Sequence, residues 1–92
     1  MYVGKLKASP EIIWSDLGDG AALFDIRCGI YYDLNQSGSI VWTMLDEPRS
    51  ISDLAAELAR VCEIDLAIST ADTTALIEDL LSHNLVLTCD DV

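Results

Sequence analysis

Two stretches of period-two alternation around a glycine, then three stretches of helical period, predict a small α+β fold. The expected architecture is a three-stranded antiparallel sheet followed by three helices. A short corner between the second and third helices gives this order a winged helix-turn-helix layout. Ninety-two residues predict a single domain over 1–92, burying roughly 60–65% of the surface its unfolded chain exposes.

Residues 1–9 are weakly patterned and fit either a flexible arm or a first strand, ended by Pro10. Glu11 to Ser15 is a β-prone run, and Gly18-Asp19-Gly20 supplies a turn. From Ala22 to Cys28 the residues alternate. Ala22, Phe24, Ile26 and Cys28 form the apolar face expected to point inward, with Leu23, Asp25 and Arg27 opposite. Gly29 sits where a hairpin needs positive φ. The third strand follows, with Ile30, Tyr32 and Leu34 on one face and Tyr31 and Asp33 on the other.

Asn35 is the expected N-cap of the first helix. Gly38, Val41, Trp42 and Leu45 fall on one stripe, and Gly38 points to close approach between helix and sheet. Pro48 closes this element. Ser50 and Asp53 resemble a capping box for a second helix reaching about Cys62. Ile64 and Asp65 make a corner. The third helix, capped by Asp65 or Ser69, runs to about His83, and Asn84 takes the left-handed position after it. Leu85-Val86-Leu87 extends back over the core. Thr88 to Val92 reads as a polar, acidic tail.

Charge narrows the function classes. Sixteen acids against five bases give a net −11, and no Lys or Arg follows Arg60. Such a surface repels nucleic-acid phosphates and anionic lipid and attracts a basic partner. The third helix, where a winged helix would read DNA, carries Asp72, Glu78 and Asp79 in place of base-reading Arg or Lys. No apolar run spans a membrane, and the start lacks a secretory core. Cys28, Cys62 and Cys89 form no CxxC pair, which suits a reducing cytosol. His83 is the lone histidine, and no phosphate loop or metal motif is present, so no catalytic residue, metal or cofactor is assigned. Cys28 reads as a buried small hydrophobe.

The ordered set Leu23-Phe24-Asp25-Ile26-Arg27, Gly29-x-Tyr31-Tyr32-x-Leu34-Asn35-x-x-Gly38, Trp42-x-x-Leu45 and Leu54-x-x-x-Leu58 resembles the PqqD-like family over roughly residues 20–87. Ser37 stands where threonine is common and Asn84 where glycine is common; both keep the local chemistry. Members of this family are recognition elements for precursor peptides of ribosomally made, post-translationally modified products. The resemblance implies a non-catalytic adaptor. The leader segment of a precursor peptide would add as an antiparallel strand along the third strand, with the third helix as the other wall. A chain of this size looks most like the recognition proteins of lasso-peptide clusters, whose partners are a separate leader peptidase and a cyclase. The alternatives are a PqqD-type peptide chaperone for a radical enzyme and a structural dimerisation module using the same edge.

Residue chemistry bears on that expectation. The edge from Cys28 through Gly29, Ile30, Tyr31 and Tyr32 to Asp33 carries no Pro and no Lys to guard it, although it is short and Asp33 could guard it alone. Tyr31 is expected in or near the groove and Tyr32 mainly in the core. On the third helix Thr73, Leu76 and Leu80 form one line; Thr74, Ile77 and Leu81 form the next. One line faces inward; the second set, together with Thr73, is assigned to the groove. Asp72, Asp79 and Asp33 are candidate rim partners for leader lysines, steering more than holding.

Overall fold

The computed structural model describes residues 4–89. Its elements in chain order are β1 (Lys5–Ala8), β2 (Ile12–Asp16), β3 (Gly20–Asp25), β4 (Ile30–Asn35), α1 (Gln36–Met44), β5 (Arg49–Ser50), α2 (Ile51–Cys62), α3 (Leu66–Ser82) and β6 (Val86–Cys89). The expected meander is present as the antiparallel sheet β2-β3-β4. A second small sheet, β5-β1-β6, was not legible beforehand. β1 pairs antiparallel with β6 from Lys5↔Cys89 to Ala8↔Val86. The weakly patterned start is thus a strand from Lys5 onward, and Thr88 and Cys89 belong to β6 instead of a tail. Residues 1–3 and 90–92, the rest of those two segments, lie outside the described residues.

One core joins the layers. Leu6 of β1, Leu23 of β3, Val41 and Trp42 of α1, Leu54 and Leu58 of α2, Ile77 and Leu80 of α3 and Val86 of β6 all contribute to it. The stripe read from α1 is the one buried, with Leu45 completing it. Ser50 caps α2 by accepting the Asp53 N–H at 3.1 Å. Asp65 caps α3 by accepting the Ala67 N–H at 3.0 Å, while Ser69 lies inside and its hydroxyl donates to the Ala55 carbonyl at 2.7 Å. Asn84 is left-handed at φ 59, as its place after α3 requires.

The phase of β3 is the reverse of the expectation. Leu23 is fully buried, with Ala21 and Asp25 on its face, whereas Ala22 and Phe24 are half-buried and Ile26 and Cys28 are exposed. The strand stops at Asp25, where the chain turns through residues 26–29 and the Gly29 N–H (φ 73) donates to the Asp25 carbonyl at 2.8 Å. Ile26 and Cys28 therefore never join the ladder, and their alternation carried no information about faces. A one-residue error of phase exchanges every side chain of a strand. Cys28, placed in the turn, is an exposed thiol and not a core residue.

Gly20 faces Asn35 across β3 and β4, and a Cβ there would stand 2.2 Å from the Leu34 carbonyl oxygen. Backbone cannot yield to that contact without parting the strands. Gly20→Ala is expected to destabilise by on the order of 1–3 kcal/mol, read as a lower urea midpoint at unchanged m. Glu63 ends α2 in the left-handed region at φ 54. Glu63→Gly removes that strain and is expected to stabilise by about 0.5–1 kcal/mol. The measurable result is a rise of a few degrees in Tm.

Candidate functional site

β4 pairs with β3 on one side only. Alternate residues of an antiparallel strand direct N–H and C=O away from its partner, so β4 carries a row of backbone groups facing outward. The N-terminal strand does not cover this row; it pairs with β5 and β6. The edge stays open among the described residues.

The wall beside it is α3. Tyr32 and His83 meet edge to face, ring centroids 5.2 Å apart. At the other end of β4, Asn35 shares a cavity of 330 Å³ with Asp72, Thr73 and Leu76 of α3. From Leu76 to His83 is seven residues, about 10 Å of helix. From Tyr32 to Asn35 is three residues, about 10 Å of strand. Strand and helix therefore run side by side in opposite directions over a matched length, held at both ends.

The hairpin is tied to that wall by Arg27. Its Nε and Nη2 donate to the two carboxylate oxygens of Asp25 at 2.9 and 3.0 Å, and Nη2 also donates to the Asn84 carbonyl at 2.8 Å. The Arg27 N–H adds a bond to Asp25 Oδ1 at 3.0 Å. A bidentate guanidinium fixes orientation as well as distance. It also explains how Asp25 sits on the inner face of β3: its hydrogen bonds are met before burial.

Electrostatics follow from these contacts. The hydrogen bonds from Arg27 hold the Asp25 carboxyl below its ordinary range against the opposing effect of desolvation. Desolvation, then the nearby Cys28 and Asp25, push the Tyr32 phenol up, so it stays neutral well into alkaline pH. Asp72 and Asp79 sit on α3, and Asp33 projects from β4 on the face of Tyr31.

The residues expected from sequence are distributed unevenly. Ile30, Tyr31, Tyr32 and Asp33 lie on β4, whereas Cys28 and Gly29 lie in the turn before it. Tyr31 packs on Phe24 at 4.6 Å between centroids and is 74% exposed, on the face away from α3. Tyr32 packs against the core, as expected, and its ring also meets His83 at the end of α3. On α3 the line Thr73, Leu76 and Leu80 does pack inward, with Thr73 and Leu80 buried and Leu76 half-buried against the core. The inward row is Ser69, Thr73, Ile77 and Leu80. Ile77 is fully buried and unavailable to a groove. Thr74 stands two residues from Leu76, about 200° around the helix, and so turns away from β4. Leu81 packs against the core, half-buried. Asp72 and Thr73 do line the cavity.

Sequence reasoning missed Leu76, His83 and the cavity floor. Asn35 and Gly38 had been read for capping and close approach, and both occur. Asn35 Oδ1 accepts the Gly38 N–H at 2.8 Å and the Ser37 hydroxyl at 3.2 Å, and a Cβ on Gly38 would stand 3.3 Å from Leu34 Cβ. Their place beside α3 had no signal in one strand or one helix alone. Within the cavity Thr73 is fully buried, and its Oγ1 has no partner among the described residues. Such a hydroxyl costs on the order of 1–3 kcal/mol unless something meets it. No group of three or more potential metal ligands occurs among the described residues, and no described helix is long and apolar enough to cross a membrane.

Because the Asp25 pKa is depressed in the folded state, its contribution to stability is complete above its unfolded value and is lost as pH falls through the folded one. Asp25→Asn is expected to lower stability at pH 7 and to flatten the acid limb below about pH 4. Urea titrations across pH check this, with the Glu57–Arg60 pair left unaltered.

No curated protein sequence matches the chain. Solved structures resemble it, three of them as follows. TbiB1 in complex with the TbiA(beta) leader peptide aligns with a TM-score of 0.80 at 20% identity, covering 92% of this chain and 99% of that one. Lasso peptide synthetase B1 complexed with the leader peptide aligns at 0.76 and 27%, covering 89% and 96%. The PqqD truncation of Methylobacterium extorquens PqqCD, a stand-alone recognition element, aligns at 0.72 and 16%, covering 90% and 88%. The first and third share the fold. Residues 20–86, well over half of the chain, match the family described as Coenzyme PQQ synthesis protein D (PqqD). They run from the start of β3 to the start of β6, with the edge strand and its helical wall inside, and the chain belongs to the PqqD family.

Proposed function

We propose that this chain is a non-catalytic adaptor that binds the leader segment of a ribosomally made precursor peptide. The leader lies antiparallel to β4, adding a strand to the β2-β3-β4 sheet, with α3 as the second wall. The observation that carries this reading is the unpaired edge of β4 running beside α3, closed at one end by Tyr32 and His83. Main-chain hydrogen bonds give affinity in this mode, and pockets for alternate side chains give selectivity.

The lasso-type assignment draws on the 27%-identical lasso peptide synthetase B1, whose structure holds a leader peptide. On that reading the bound leader is presented to a separate leader peptidase and a cyclase in the cytoplasm. The family description favours a second reading, in which the same edge serves as a PqqD-type peptide chaperone for a radical enzyme. The two differ in partner and not in the binding edge. Asp72 and Asp79 on α3 and Asp33 on β4 make an acidic surround that draws in leaders bearing lysine. Each exposed pair adds about 0.2–1 kcal/mol and weakens with salt, so the acids govern encounter more than residence.

The test is a titration with the leader encoded beside the gene, followed by calorimetry and by backbone resonances of residues 30–35 and 72–83. Saturable binding is expected between micromolar and nanomolar, about 8–12 kcal/mol. N-methylation of alternate leader residues separates strand addition from other modes. Methyl groups facing β4 are expected to weaken binding more than tenfold, and those between them to leave it unchanged. Uniform tolerance of N-methylation overturns the strand-addition reading, and self-association without peptide points to dimerisation through the edge.

A further inference from the structure

The cavity at the Asn35 end of β4 is chemically unlike the rest of the groove. Leu58, Ala75 and Leu76 give it apolar sides. Asn35, Ser37 and Gly38 bring the N-terminal turn of α1 to one side, and Asp72 stands on the other. Thr73 lies buried in its lining, its hydroxyl unpartnered. The hydroxyl one turn earlier on α3, that of Ser69, is also buried, yet it donates to the Ala55 carbonyl at 2.7 Å. Burial of a hydroxyl on this helix therefore normally comes with a partner, and Thr73 is the exception at the point where the fold leaves 330 Å³ of space.

We infer that this cavity is a specificity subsite for one leader side chain with an apolar body and an uncharged hydrogen-bonding tip, a hydroxyl or an amide, which partners Thr73 Oγ1. The inference rests on the strand-addition reading and adds the chemistry of one position to it. Charged tips are disfavoured from both directions. Asp72 opposes an anion; it draws a lysine to the rim, but the N-terminal end of α1 opposes the entry of that cation into the cavity. Apolar sides accept the stem, and a purely apolar residue leaves the hydroxyl unmet. A strand antiparallel to β4 passes Asn35 before it reaches Ile30. The occupant is therefore N-terminal to the leader residues that pair with Tyr32 and Ile30.

Thr73→Val keeps the shape and deletes the hydroxyl, and Thr73→Ser keeps the hydroxyl. Both are compared with the unaltered protein against the full leader and a set of single-alanine leaders, with thermal melts reporting folding. The expected result is a loss of roughly three- to tenfold in affinity for Thr73→Val, restored in Thr73→Ser. That loss vanishes for one alanine leader, altered at a hydroxyl or amide residue in the N-terminal part of the paired segment. Full affinity of a folded Thr73→Val protein for the native leader overturns the subsite, as does coupling to a charged or purely apolar residue. If Thr73→Val fails to fold, Thr73→Ser and Thr73→Ala carry the same comparison. A leader that does not bind the unaltered protein at all removes the strand-addition reading, and the subsite with it.

Discussion

The contact on which the groove depends is that of Arg27 with Asp25 and Asn84. One guanidinium satisfies a carboxylate on the inner face of β3 and a carbonyl at the left-handed end of α3. The β3–β4 hairpin otherwise meets α3 through Tyr32 on His83 and through the cavity at Asn35. Fixing the hairpin tip to the helix terminus sets the separation of strand and wall at one end; the Asn35 cap and the close approach of Gly38 to Leu34 set it at the other. Between those points the outer edge of β4 has no partner strand among the described residues. Two clamps with an open middle make a groove, whereas continuous contact would have made a closed core.

Keeping the edge open has a structural cost that the second sheet offsets. An unguarded strand edge invites pairing with any extended chain, including the molecule's own. β1 is extended and could have served, but its register with β6 and β5 buries Leu6 beneath the core and occupies both of its edges. The N-terminal strand is thereby committed to the second sheet. The same arrangement gives β6 a partner and closes the chain after α3. Availability of β4 is thus a consequence of where β1 goes.

Much of this was legible because it is local. Asn35, Ser50 and Asp65 announce helix starts through their own side chains, and Asn84 announces an end. The stripe Gly38, Val41, Trp42 and Leu45 has one apolar face and hence one solution. β3 was misread where two solutions exist. Leu23 on one face and Phe24 on the other are comparably apolar, and their neighbours decide between them: Leu23 and Tyr32 pack on the core, while Ile13, Phe24 and Tyr31 share the outer face. On α3 the threonines and leucines fill more than one face, so periodicity could not tell the core row from the groove row. β1, with Leu6 its lone buried residue, becomes a strand only through β5 and β6, partners that follow it far along the chain. Nonlocal pairing leaves no local trace.

The order of strands and helices is one that elsewhere reads DNA, and the acidity of this chain shows why the same scaffold turns inward. A reading helix must project its distinctive side chains into solvent, toward a polyanion. Here α3 commits Ser69, Thr73, Ile77 and Leu80 to the core and places Asp72 and Asp79 at its surface, which excludes phosphate on charge alone. What α3 retains is the flank with Leu76 and His83 beside an unpaired strand. Unpaired backbone amides and carbonyls on such an edge can pair with an extended chain whatever its sequence. Selectivity must then come from the side-chain sites along that flank. The buried hydroxyl of Thr73 is one such group on this flank that the fold itself leaves unsatisfied.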